Sequence, residues 1–235
     1  ALRASDPLSV VPSYDVIEHG THVAGIACAG GNISDRYYGV APESSIMMVK
    51  CARGSFALSN QIMKGLKFLV DKAYDLKMPL VVNISLSTND GAHNGSSLLE
   101  QYINTIATLE RVTIVIAAGN EGDASHHIGG TLQKENIIKF NVAEDETAVV
   151  INLYKSILPL VTIELITPNN VSTGPILVQE GFKEGVISGN KYQIYDTGPK
   201  PFDVSGEIGI SLITQGNYII SGEWTIKIRI VNEYS

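Results

Sequence analysis

His19-Gly20-Thr21-His22-Val23-Ala24-Gly25 opens a run of small and apolar residues that continues through Ile26 and Ala27. The stretch reads as the first turns of a tightly packed helix, because small side chains let a helix lie close against a sheet. His19 stands at its beginning. A ring held at a helix end keeps one orientation, which a general base needs to meet a nucleophile at about 3 Å. His22 falls later in the turn and points elsewhere. Alone, His19 would be an ordinary polar residue at a helix start; three further segments accompany it.

Downstream, Gly39-Val40-Ala41-Pro42 forms a turn signal and Ile46 to Lys50 reads as a strand. Ser59 then precedes Ile62, Leu66, Leu69 and Ala73 at helical spacing, with Lys64, Lys67 and Asp71 between them and Pro79 marking the stop. A strand over Leu80 to Ser85 follows, then a polar, turn-rich loop from Ser87 to Ser97, and a helix through Leu99, Ile103, Ile106 and Ala107. Ile114 to Ala118 reads as a buried strand, and Gly119-Asn120-Glu121-Gly122 ends it in a turn. Helix and strand signals in alternation predict a parallel sheet covered by helices.

From about Ile137 the pattern becomes alternation punctuated by glycine and proline. Val149 to Tyr154, Val161 to Ile166, Ile208 to Ile213, and Trp224, Ile226, Ile228 and Ile230 interleaved with Thr225, Lys227 and Arg229 read as antiparallel strands. No amphipathic helix intervenes, so a β-sandwich or barrel is expected. Trp224 is placed in its core.

Four segments together resemble the subtilisin-like serine proteases. His19 to Gly25 looks like the catalytic-histidine segment; Gly39 to Pro42 with Ile46 to Lys50 looks like the turn and strand after it. Val81-Val82-Asn83-Ile84-Ser85-Leu86 looks like the strand that binds the substrate backbone, and Ile114 to Gly122 like the strand ending in the oxyanion-hole asparagine. Four such matches in order over about half the chain make the resemblance specific. It implies His19 as general base and Asn120 as oxyanion donor, with Ser85, Leu86, Ser87 and Gly119 on the substrate. Asp15 matches an acidic position at the edge of the cleft in some members of the family, and local chain geometry makes it a poor triad partner. The family has Ser-Leu-Gly-Gly where this chain has Ser85-Leu86-Ser87-Thr88, so Ser87 should narrow or polarise the pocket entrance.

Ser221-Gly222-Glu223-Trp224-Thr225-Ile226 resembles a strand of jelly-roll domains attached to proteases. A jelly roll after the asparagine segment resembles the layout of clostridial germination-type subtilases, where it is inserted before the serine segment. The expected architecture is therefore an incomplete α/β parallel-sheet subtilisin-like core over residues 1–142, then an all-β jelly-roll sandwich over 143–235. In that group the resemblance implies limited proteolysis of a cortex-lytic zymogen, and an extracellular or spore-associated location.

A triad needs a nucleophile, a base and a carboxylate. Neither the family's Asp-Thr/Ser-Gly strand before the histidine nor its Gly-Thr-Ser helix start occurs in the expected place, so the chain is expected to be an internal piece of a longer protease, inactive alone. Asp196-Thr197-Gly198 is a decoy: it follows the oxyanion strand, and the second copy that an aspartic protease needs is missing. A loop turn closed by Pro199 and Pro201 is the expected reading. The alternatives are a pseudoprotease or peptide-binding module that keeps the cleft, and a carbohydrate-binding sandwich, for which Trp224 alone could stack on a sugar.

With 17 basic and 24 acidic residues among 235, a formal net charge of −7, and both signs dispersed, nothing points to nucleic acid. No apolar run approaches the ~20 residues of a membrane span. Cys28 and Cys51 are expected as free thiols. No metal site is assigned: His126-His127 with Asp123 reads as a solvated loop, and Asn32 and Asp35 occupy a region where the resemblance allows calcium, though oxygen ligands there are few. No cofactor motif is present. The expected partner is a protein or peptide substrate, and self-association of the chain is anticipated where apolar sheet surface is left bare.

Overall fold

Apolar residues three and four apart between Ser59 and Leu76 give one long helix, and β-branched runs on either side of it give strands. The computed structural model describes residues 5–11, 13–31, 36–52, 57–198, 200–201, 203 and 205–231. Two compact units emerge, one of Ala1–Ser87 with Tyr102–Ala118, the other of Thr88–Gln101 with Gly119–Ser235.

The first unit holds a single helical turn, α1 (Pro7–Val10), the histidine helix α2 (His19–Cys28), the long helix α3 (Ser59–Leu76) and two strands, β1 (Leu80–Ile84) and β2 (Val112–Ile116). The strands pair in parallel, Leu80 opposite Val112 and Ile84 opposite Ile116. Leu66 and Ala73 of α3 are buried with Leu80 and Val82 of β1, and Ile62, Leu69, Ile84, Val112 and Ile114 pack around them. Lys77 ends α3 in the left-handed conformation at φ 56°, with its amide and that of Met78 returning to carbonyls of the last turn. That chain reversal feeds β1.

Two expectations change here. Ile46 to Lys50 forms no strand among the described residues; Met47 instead packs on the α3–β1 cluster and Val49 lies against Gly65. Side-chain packing on α3 thus takes the place of a ladder. Nor is α2 tightly enclosed, since no residue of it is buried and Ile26 is 60% exposed. Its close contact is with backbone: Gly39, Val40 and Ala41 donate to the carbonyls of Ala29, Ile26 and Ala27. A Cβ on Gly39 would stand 2.4 Å from the amide nitrogens of Cys28 and Ala29, so glycine is required there.

Helix α4 (Leu98–Ala107) begins in one unit and ends in the other. Ser97 and Glu100 form a reciprocal capping box at its start: the Ser97 hydroxyl accepts from the Glu100 amide at 3.2 Å and Glu100 accepts from the Ser97 amide at 3.0 Å.

Among the described residues the second unit is a sandwich of eight strands: β3 (Glu135–Val142), β4 (Ala148–Ser156), β5 (Val161–Ile166), β6 (Ile176–Val178), β7 (Gly181–Ile187), β8 (Asn190–Asp196), β9 (Ser205–Thr214) and β10 (Gly222–Ile230). One four-stranded antiparallel sheet runs β3-β10-β5-β6 and the other β4-β9-β8-β7. The first strand pairs with the last and the second with the second-last, whereas the inner strands pair with their neighbours in sequence, β5 with β6 and β7 with β8. Strand β3, which a boundary at 142 and 143 leaves in the first domain, is hydrogen-bonded to β10 along its length. Trp224, Ile226 and Ile228 of β10 are buried among Ile163, Leu165, Ile194, Ile208, Ile210 and Leu212. Trp224 is 0% exposed and its indole donates to the Ile220 carbonyl at 2.8 Å, which satisfies its one polar atom. The hairpin of β7 and β8 turns through Ser188 and Gly189, both at positive φ.

Candidate functional site

His19 is the first residue of α2 and is exposed. The preceding Glu18 takes a left-handed conformation at φ 64° and supplies no side-chain cap. Asp15 does this from outside the helix: one carboxylate oxygen accepts from the Glu18 amide at 3.0 Å, the other from the Thr21 amide at 2.8 Å and the Thr21 hydroxyl at 2.9 Å. These bonds, the Thr21 amide foremost, hold the Asp15 carboxyl below the usual carboxylate range. A negative group suits a helix N-terminus, where unpaired amides point outward. Asp15 therefore has a structural employment that its spacing from His19 did not disclose.

Ser85, Leu86 and Ser87 leave the C-terminal end of β1, and Ala117 leaves the neighbouring end of β2, its amide donating to the Ile84 carbonyl at 3.1 Å. The two segments thus start side by side at the carboxyl edge of parallel strands, where open α/β sheets bind ligands. Asn83, on the exposed face of β1, donates to the Ser85 hydroxyl at 2.9 Å. Gly119 has φ +100°, a value that glycine adopts without strain, and turns the chain into the exposed Asn120.

Beyond Asn120, Glu121 accepts from the Asn89 side chain at 2.9 Å and pairs with His126 at 2.9 Å. The Asn89 bond, with His126 next, holds its carboxyl below the usual range. His127 stacks on His93, ring centres 6.4 Å apart. His126 is thus hydrogen-bonded to Glu121, and among the described residues no three His, Cys, Asp or Glu side chains cluster to hold a metal. Asn32 and Asp35 lie outside the described residues. Cys28 and Cys51 are free and half-buried.

Asp196 ends β8, and its carboxylate accepts from the Gly198 amide at 2.8 Å, with Gly198 at φ +65°. This is the turn expected of Asp196-Thr197-Gly198. No helix of the described residues is long and apolar enough to cross a membrane.

Residues 7–223 match the Peptidase_S8 subtilase family. The chain belongs to the subtilase family. Among its subtilase relatives, the subtilisin of Bacillus sp. strain TA39 is 34% identical over 112 residues, 47% of this chain and 26% of that enzyme. Subtilisin E of Bacillus subtilis strain 168 is 34% identical over 120 residues, 50% of this chain and 28% of the enzyme. The solved structure of the Clostridium perfringens CspB protease superposes with a TM-score of 0.88 at 51% identity, covering 99% of this chain and 51% of that one. The chain spans about half the length of that structure and about a quarter of those two subtilisins.

The subtilase resemblance stated on sequence is therefore shown, as is a small parallel sheet followed by a β-sandwich. Sequence reasoning missed Asn89, whose bond to Glu121 links two loops 32 residues apart. Its only signal was its place in a polar loop.

Proposed function

We propose that this chain is part of a subtilisin-like serine endopeptidase in which His19 is the general base and Asn120 donates its amide to the oxyanion. Ser85 to Ser87 and Gly119 would contact the substrate. The nucleophilic serine and the carboxylate that orients His19 would come from parts of the full-length protein outside this sequence, so the chain alone would be inactive. The observation that carries the reading is the in-register parallel pair of β1 and β2, which starts Ser85 and the Asn120 turn from adjacent strand ends.

His19 would take the proton of the serine as it attacks a peptide carbonyl, then pass it to the leaving amine. The Asn120 amide would meet negative charge that develops only in the transition state, so its loss should fall on kcat. In a subtilisin, removal of such a donor costs about 10²–10³-fold in kcat. The test uses the full-length protein with a fluorogenic peptide and a fluorophosphonate label. Wild type should label and turn over, Asn120→Leu should still label with kcat lower by about 10²-fold, and His19→Ala should lose both. A full-length wild type that binds peptide without labelling would overturn the peptidase reading in favour of a peptide-binding module.

A further inference from the structure

The segment that contains Asn120 shares its compact unit with residues 88–101 and with the β-sandwich. Contacts between these three parts form a continuous path. On β4, Asn152 and Tyr154 stand two residues apart and so project from one face, opposite Gly209 and Glu207 of β9. Asn152 donates to the Asp90 carboxylate at 3.0 Å. The Tyr154 hydroxyl accepts from the Gly91 amide at 2.9 Å and donates to Glu207 at 3.2 Å, and Glu207 is also paired with Lys200. Burial pushes the Tyr154 phenol up, which keeps its proton in place to donate to Glu207 at neutral pH.

Asp90 and Gly91 are thereby fixed to the sandwich, and Asn89 precedes them directly. Its side-chain amide reaches the Glu121 carboxylate at Oε2, the same oxygen that His126 engages. Glu121 follows Asn120. The 89–96 stretch has no helix or strand of its own, and Gly91 and Gly95 take φ +111° and +83°. Such a loop is ordered only by what holds it, since fixing each residue costs about 1–2 kcal/mol of backbone entropy.

We propose that Asn89 and Glu121 are positioning residues for the oxyanion donor, and that the sandwich, through Asn152 and Tyr154, sets the place of Asn120. The proposal rests on the role assigned to Asn120 above. A donor shifted by about 1 Å can cost up to 10²-fold in rate, so a loop anchored on a rigid sheet is a means of keeping it in register.

The test measures kcat and KM of the full-length protein for one fluorogenic peptide. Asn89→Ala and Glu121→Ala should lower kcat about tenfold with KM within twofold and melting temperature unchanged. Glu121→Gln, which retains an acceptor for Asn89, should recover most of the loss. Tyr154→Phe should act in the same direction, and Val150→Thr, on the exposed face of β4, should have no effect. The decisive variant combines Asn89→Ala with Asn120→Leu. If Asn89 acts through Asn120, the double variant is no slower than Asn120→Leu alone. Additive losses, or unchanged kcat in Asn89→Ala, overturn the proposal and leave the function standing. Unchanged kcat in Asn120→Leu overturns both.

Discussion

Asp15 shows how one carboxylate can serve a catalytic candidate without belonging to it. Both its oxygens are committed to the first turn of α2, and its folded-state ionisation is depressed by those bonds. A depressed carboxyl contributes stability that is complete above the ordinary range near pH 4, and that is lost as pH falls through the folded value. Hydrogen exchange at the Thr21 amide should therefore be faster in Asp15→Ala than in wild type at pH 6, after correction for intrinsic rates. The difference should vanish as the pH falls through the depressed value. Equal exchange at pH 6 would show that the cap does not form. At this scale, His19 and Asn120 stand out in the sequence as candidates because motif residues are local strings. The work of Asp15 stayed hidden because a cleft-edge reading already accounted for an acidic residue four positions before a histidine.

Among the elements, β10 is the clearest case of a pattern that names its own environment. Trp224, Ile226 and Ile228 alternate with Thr225, Lys227 and Arg229, and the buried set faces the second sheet while Lys139 pairs with Glu223 and Arg229 with Glu135 and Glu164 outside. Exposed pairs of this kind contribute little, so the apolar row carries the strand. Trp224→Ala should destabilise the sandwich by about 3–5 kcal/mol, read from urea unfolding followed by near-ultraviolet circular dichroism of the tyrosines. The pair β1 and β2 behaves differently. Val81 is 70% exposed and Val115 50%, so the face away from α3, which they share with Asn83 and Thr113, leaves two valines bare. Parallel strands are ordinarily covered on both faces. The chain by itself should associate with rising concentration in light scattering, and Val81→Lys should shift it toward monomer. A wild-type monomer at all concentrations would remove this prediction. Strands β6 to β8 went unread in the sequence because their polar outer residues dilute the alternation. The Ser188-Gly189 dipeptide was the signal that could have found the hairpin.

For the whole molecule, two cores share no residue: one of Leu66, Ala73, Leu80 and Val82, the other built on Trp224 and the sandwich isoleucines. Separate cores unfold as separate cooperative units. Calorimetry of the chain should resolve two transitions, with Trp224→Ala lowering the sandwich transition and leaving the other within about 2 °C; a single transition displaced as a whole would show that the units melt together. Family membership, the helix–strand alternation from α3 to β2, the buried face of β10 and the turn at Asp196 followed from sequence alone, because periodicity and short motifs depend on neighbours along the chain. Tertiary structure decided the rest: that Ile46 to Lys50 packs rather than pairs, that Gly39 lies against the end of α2, and that Asn89, 31 residues before Asn120 in the sequence, reaches the neighbouring Glu121. Those outcomes depend on which surfaces meet after the chain has folded back on itself, and no local pattern encodes a partner that distant.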